Sequence, residues 1–213
     1  TALLIVFQPE LRKALEELGQ KKIVSSILPF DENKDRNIRF TDRTVNEIVR
    51  ATSELAKAKT GALIIMEKDI ILSEYERTGI IIDSAISSQL LINIFEKNTP
   101  LHDGAIIVRG NRVVAATCYL PLSDNLALSK DLGTRHRAAV GISEVSDSMT
   151  IVVSEETGKV SLAVEGELYR NIDEEFLKKK LSEGHLKDVE NGKLIDWKRR
   201  LQNVKKAKEP SDK

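Results

Sequence analysis

"PLHDGAIIVRGNRVVAATCYLPL", Pro100 to Leu122, is the stretch on which the fold turns. Two apolar runs, "AIIVR" and "RVVAATCY", flank Gly110-Asn111, and Gly-Asn between apolar runs predicts a β-hairpin. From Val113 to Cys118 the second run does not alternate, so its strand is expected to be covered on both faces. His102-Asp103-Gly104, just ahead of the hairpin, has two readings. Asp and Gly punctuate strand ends as a matter of turn chemistry. Alternatively, a carboxylate is held at the mouth of a buried sheet, beside backbone that something must approach closely.

Working outward, "TDRTVNEIVRATSELAKAKTG" predicts a helix with Val45, Ile48, Val49, Leu55 and Ala56 on one stripe and Thr52 as the polar exception. Gly61 is read as its stop, and "ALIIME" as a buried strand. Short extended pieces are expected at Ile70–Leu72 and Gly79–Asp83, and Ser87 or Ser88 as the cap of a helix through "QLLINIFEK". After the hairpin, Thr134 is placed to cap a helix beginning near His136 and ending before Ser146. "MTIVVS", the turn "EETG" and "KVSLAVEG" form a second hairpin, followed by a helix near Glu174–Leu181. Near the N-terminus, Pro9 opens and Gly19 closes a helix, and "PFDENKDRN" reads as a loop. Lys198 to Lys208 carries six basic residues and no acid, the pattern of a solvated tail. Helices interleaved with buried strands predict an α/β fold: a single domain with a central mixed β-sheet flanked by helices on both faces.

Of the 213 residues, 41% are hydrophobic and 31% charged, the balance of a soluble globular protein. Lys+Arg and Asp+Glu each number 33, so no net field draws the chain to nucleic acid. With one Trp, three Tyr and five Phe there is also little surface on which bases could stack, so no nucleic-acid partner is expected. The single Cys118 excludes an intrachain disulfide and a multi-cysteine zinc site and fits an intracellular setting. No stretch reaches the ~18 apolar residues of a membrane span. The opening "ALLIVF" is either a short core segment or the continuation of a membrane-embedded portion upstream.

Three clusters could carry chemistry. His102-Asp103 suggests a metal phosphohydrolase, but with only His136 and His185 besides, the chain lacks the ligands to complete one. Neither a P-loop nor a dinucleotide fingerprint is present. "GTRHRAAVG", Gly133 to Gly141, instead puts Arg135, His136 and Arg137 in the first turn of a helix, where cations oppose the macrodipole. That is either an exposed basic turn or an anion site built from backbone N–H groups and guanidinium forks. "SEETG", Ser154 to Gly158, is either an acidic hairpin turn or part of a metal–phosphate crevice.

"DGA" at Asp103-Gly104-Ala105, "GTRHRAA" at Gly133–Ala139 and "SEETG" together resemble the signature motifs of the diadenylate cyclase domain, over roughly Lys57 to Gly166. The first part, "LIVFQPELRKALEELG", resembles the segment that comes after the transmembrane helices in the membrane-anchored bacterial class. The resemblance implies condensation of two ATP molecules into cyclic di-AMP with release of two pyrophosphates. It makes Asp103 the essential acid near the reacting ribose hydroxyl and the metal, and Gly104 the point where backbone nears the nucleotide. Gly133, Thr134, Arg135, His136 and Arg137 would hold the triphosphate, with Gly104, Arg135, His136 and Arg137 counted among the catalytic groups beside Asp103. Ala105 completes the first motif; Ser154, Glu155 and Glu156 would line the phosphate side, and Tyr119 and Leu120 would touch adenine. Asp103 and Glu156 are the metal candidates, for Mg²⁺ or Mn²⁺. A face-to-face homodimer is implied because the product is two-fold symmetric. So are anchorage at the cytoplasmic face of the membrane through a preceding segment, and regulatory protein partners. The expected organisation is residues 1–20 as the lead-in, 21–172 as the catalytic domain and 173–213 as the C-terminal helix and tail. The alternative is a non-catalytic nucleotide-binding regulatory module, which would have no need of Asp103.

Overall fold

The computed structural model describes residues 40–129 and 131–183, all within the unit that runs from Ile38 to Lys213. The expectations for the Pro9–Gly19 helix, the loop after it and the basic tail lie outside the described residues.

Helix α1 spans Asp42–Lys57. The Thr41 hydroxyl caps it by accepting the Thr44 N–H, Asp42 sits in its first turn and Lys57 in its last, so both ends complement the dipole. Its stripe of Val45, Ile48, Val49 and Leu55 is buried as the spacing predicts. Thr52 is buried with it, and its hydroxyl has no partner. Strand β1, Ala62–Glu67, is buried at all six positions. A one-turn helix α2, Ser73–Glu76, leads to β2, Ile80–Ala85. Helix α3, Ser88–Phe95, is capped by Ser87. Strands β3, Ala105–Arg109, and β4, Arg112–Cys118, form the expected hairpin, with Gly110 at φ 57° in its turn. Asn111 pins that turn to the start of α1: its Oδ1 accepts Thr41 N–H at 2.9 Å and the Thr44 hydroxyl at 2.7 Å. Helix α4, Thr134–Val145, is followed by β5, Met149–Val153, β6, Val160–Val164, and β7, Glu167–Arg170. Residues 174–183 form a further helix, α5.

The seven strands form one sheet in the order β2-β4-β3-β1-β5-β6-β7. β1 and β3 run parallel and every other neighbouring pair is antiparallel. Ile64 and Met66 of β1 point into a core shared with α1, α3 and α5. Leu63 and Ile65 point into a second core shared with Ala139, Val140 and Ile142 of α4. The sheet is therefore mixed, with helices on both faces, as expected. β4 is covered on both sides too, and bulges against β3 explain its lack of alternation: Val114 and Ala115 pack on one core, Val113 and Ala116 on the other.

Four local expectations need correcting. Ile70–Leu72 is no strand, because β1 already has β3 and β5 on its two edges. Instead Asp147 accepts the Ile70 N–H and the buried Glu67 carboxylate accepts that of Leu72. The strand expected at Gly79–Asp83 begins one residue later and runs on to Ala85. Thr134 is the first residue of α4 rather than its cap; Gly133 holds the cap position, with no side chain to bond. Gly61 does not stop α1 either. The helix ends at Lys57, and Lys59 takes the left-handed conformation (φ 51°) that lets Thr60 N–H bond back to Leu55 C=O at 2.9 Å.

At the end of the sheet where β1 and β3 finish, Arg109 bonds Glu67 and Glu76. The Glu67 carboxylate, fully buried, is thereby paired, as a charge inside a core must be.

Candidate active site

The topology brings four chain ends to the other end of the sheet. β1 and β3 start there, and β4 and β5, antiparallel to them, finish there. Asp103 and Gly104 immediately precede β3, Tyr119 and Leu120 come after β4, and Ser154, Glu155 and Glu156 come after β5. The N-terminus of α4 arrives at the same place, so three sequence clusters converge in space. A cleft of about 370 Å³ is lined by Asp103, Gly104, Tyr119, Leu120, Thr134, Arg135 and Glu155. A narrow passage of about 70 Å³ shares Thr134, Arg135 and Glu155 with the cleft and is lined also by Gly133, His136, Ser154 and Glu156. It shares His136, Ser154 and Glu156 with a third cavity of about 440 Å³, which is lined also by Lys159 and Arg170.

Asp103 is exposed at the mouth of the cleft, and its Oδ1 accepts the Gly104 N–H at 3.0 Å. Gly104 has φ 91°, the left-handed region, and a Cβ there would stand 2.9 Å from the backbone of Thr117 and Cys118. Its glycine is thus required by β4, and this refines the expectation that it serves nucleotide approach. Thr117, a β-branched residue, is itself at φ 61°. Gly104 takes its conformation at no steric cost, whereas Thr117, packed against it, holds backbone strain of the kind that accumulates at functional sites.

Arg135 is the best-anchored cation of the site. Its Nη1 donates to Glu155 Oε2 at 2.8 Å, with the guanidinium side chain 22% exposed. Its Nε is buried without a partner. An unspent buried donor costs free energy unless a ligand takes it up, and the start of α4 carries no side-chain cap. Both facts favour an anion in the cleft.

His136 differs from what its sequence neighbours suggest. Burial, and next the positive charge of Arg170, hold its pKa below the ordinary 6.5, so it is an uncharged imidazole at neutral pH. Because the folded state binds this proton less readily than the unfolded chain, its contribution to stability is complete above about pH 6.5 and is lost as pH falls through the depressed value. Thermal melts of the parent should therefore lose Tm on acidification from pH 7 more steeply than those of His136→Gln, which cannot titrate. Parallel curves for the two proteins would exclude this account.

The remaining candidates are placed unevenly. Arg137 is not among the residues lining these three cavities; its carbonyl accepts the Ser123 N–H at 3.0 Å. Ala105 is fully buried in β3. Cys118 lines the cleft, but burial pushes its thiol up to about 12, which excludes thiolate chemistry at neutral pH. Leu63, Leu122 and Ala138 also line the cleft and escaped sequence reasoning. Leu122, 54% exposed, is an apolar side chain in an irregular loop, a signal that could have found it. Leu63 offers none, since every residue of its strand is buried.

Asp103 lines the cleft and Glu156 the passage and third cavity, so no one of the three holds both carboxylates. Among the described residues no group of three or more His, Cys, Asp or Glu is placed to hold a metal. Carboxylates presented singly suit, of the common divalent ions, one that takes few protein ligands, such as Mg²⁺.

Residues 49–168 match the family described as DAC, the DisA bacterial checkpoint controller nucleotide-binding domain. The cyclic di-AMP synthase CdaA of Bacillus subtilis is 49% identical over 92% of this chain and 70% of its own length. The diadenylate cyclase of Listeria monocytogenes is 53% identical over 84% of this chain, which spans 63% of that relative. A double mutant of DacA from Staphylococcus aureus superposes with a TM-score of 0.66 at 50% identity, covering 68% of this chain and 96% of that one. A hypothetical membrane spanning protein from Bacillus cereus gives 0.61 at 33% identity, with 80% of each chain covered.

Proposed function

This chain belongs to the diadenylate cyclase family, whose members are nucleotidyltransferases, and we propose that it condenses two ATP molecules into cyclic di-AMP and two pyrophosphates. The observation that carries the reading is one cleft holding Asp103, an unpaired buried guanidinium nitrogen of Arg135, and the apolar side chains of Tyr119, Leu120 and Leu122. Its volume is in the range of small-ligand sites. The apolar wall suits a purine, Arg135 and the start of α4 suit phosphate, and the passage gives the β- and γ-phosphates somewhere to go.

In the reaction, the 3′-hydroxyl of one ATP attacks the α-phosphorus of the other and pyrophosphate leaves in line. Asp103 accepts the hydroxyl hydrogen and aims the oxygen. Arg135, fixed by Glu155, holds the phosphate under attack and takes up its growing charge. His136 in the passage offers a neutral ring to the departing phosphates, together with the Ser154 hydroxyl. Most of the acceleration then comes from positioning and charge stabilisation. A divalent ion, Mg²⁺ or Mn²⁺ held by Asp103 or Glu156 with the substrate, would supply charge neutralisation on the phosphates.

A cleft sized for one nucleotide with one Asp103 performs half of a symmetric reaction. Two copies facing each other supply both halves, each ATP acting as nucleophile and as electrophile. The Bacillus cereus neighbour, named as membrane spanning, supports extending the proposal to work at the cytoplasmic face of a membrane. Among the described residues, no helix is long and apolar enough to cross one.

The test is incubation with ATP and Mg²⁺ or Mn²⁺ and identification of products by mass. Cyclic di-AMP and pyrophosphate are expected in a 1:2 ratio by the reaction's stoichiometry. ATP binding without turnover would instead favour a regulatory module. Specific activity should rise with protein concentration and fall when excess Asp103→Asn chain is mixed in. Activity strictly proportional to concentration, down to where sedimentation shows only monomer, would exclude the shared site.

A further inference from the structure

Gly61 has no conformational reason to be glycine. It does not terminate α1, since Lys59 does, and it is not among the residues with positive φ. What its missing side chain leaves room for is the Arg135–Glu155 pair. A Cβ at Gly61 would lie 2.7 Å from Arg135 Nη1, 2.9 Å from Glu155 Oε2 and 3.0 Å from Arg135 Cζ. These are its three nearest neighbours, and all belong to the two partners of the 2.8 Å bridge in the cleft. Gly61 stands directly before β1, in the fully buried floor of the sheet. The pair therefore rests on a part of the fold that cannot retreat.

We propose that Gly61 is a positioning residue of the active site. Its bare Cα is the seat on which the Arg135 guanidinium and the Glu155 carboxylate lie, and it sets how deep the phosphate-binding nitrogens sit in the cleft. The proposal rests on the reading of that cleft as the ATP site. A methyl group added here meets the ends of two flexible side chains rather than backbone. The chain should fold around it by lifting the pair, so the cost falls on substrate and not on stability. Displacement of a positioning group by a fraction of an ångström to an ångström costs roughly ten- to a hundredfold in turnover.

The test is a double-mutant cycle with Gly61→Ala and Arg135→Ala, read by cyclic di-AMP formation, by calorimetric binding of α,β-methylene-ATP and by Tm. Gly61→Ala alone should keep its Tm and lose roughly ten- to a hundredfold in activity, with weaker analogue binding. In the Arg135→Ala background, where the obstructed guanidinium is gone, the same methyl should cost less than about twofold. Equal losses in both backgrounds, or full activity of Gly61→Ala, would overturn the role while leaving the cyclase reading intact. A parent that makes no cyclic di-AMP would overturn that reading and this role together. If Gly61→Ala proves unstable, the double variant decides: recovered Tm supports seating of the guanidinium, and continued instability refutes it.

Discussion

Asp103→Asn should abolish cyclic di-AMP formation, lowering turnover by about a hundredfold or more, the scale of a lost acid–base group. The change keeps the side chain's size and the acceptor that bonds the Gly104 N–H at 3.0 Å, and removes only the charge. An exposed side chain bonded to its own neighbour carries little of the fold, so Tm should move by no more than the ~0.5 kcal/mol typical of surface changes implies. Binding of α,β-methylene-ATP should survive, because the Arg135–Glu155 bridge and the apolar wall are untouched. Loss of turnover with retained binding and melting temperature is the expected signature, measured by product mass, calorimetry and thermal melts. Turnover near that of the parent would remove Asp103 from the chemistry.

Gly141→Ala should damage the fold itself, although alanine is the better helix former. Replacing glycine inside a helix normally gains about 1 kcal/mol. Here the new Cβ would lie 2.2 Å from the Pro121 carbonyl oxygen and 2.8 Å from the Ser123 nitrogen, both backbone atoms. This irregular segment cannot step aside cheaply. Ser123 donates its N–H to Arg137 C=O at 3.0 Å and its hydroxyl to Glu144 at 2.6 Å, clamping the segment to α4. Overpacking against fixed neighbours costs about 1–3 kcal/mol or more, and it outweighs the helical gain. We expect a Tm lower by on the order of 5 °C, taking ~2–4 °C per kcal/mol for a chain of this size. Leu122 rides on the displaced segment, so the cleft should widen and analogue binding should weaken as well. An unchanged Tm would show that the segment yields freely.

Most of the sheet was legible because its strands announce themselves. "ALIIME" and "MTIVV" are apolar without interruption, and central strands covered on both faces must be. β7 was not seen: "ELYR" is a short, mostly exposed edge strand, and only its pairing with β6 makes it one. The Ile70–Leu72 error has the same origin, since three apolar residues carry no information about whether a free sheet edge awaits them. The motif clusters were legible as residue types, whereas their division between a cleft and a passage was not. Arg135 and His136 are adjacent in sequence, yet one faces Asp103 and the other Arg170. The charge state of His136 depends on that packing, and no motif records it.

The strand order has a consequence for how the chain is made. β1 acquires its parallel partner once β3 has been synthesised, and the β2-β4-β3-β1 half of the sheet is complete by Cys118. The other edge of β1 is taken only by β5, beginning at Met149. Between those two moments on the ribosome, an apolar strand presents a bare row of backbone donors and acceptors, the template on which chains mispair. The stretch made during that interval is the cleft's loop and helix α4, whose Ala139, Val140 and Ile142 pack beside Leu63 and Ile65. The segment that carries Arg135 and His136 thus joins Leu72 and Tyr75, made earlier, in covering that face of the growing sheet before its central strand is closed.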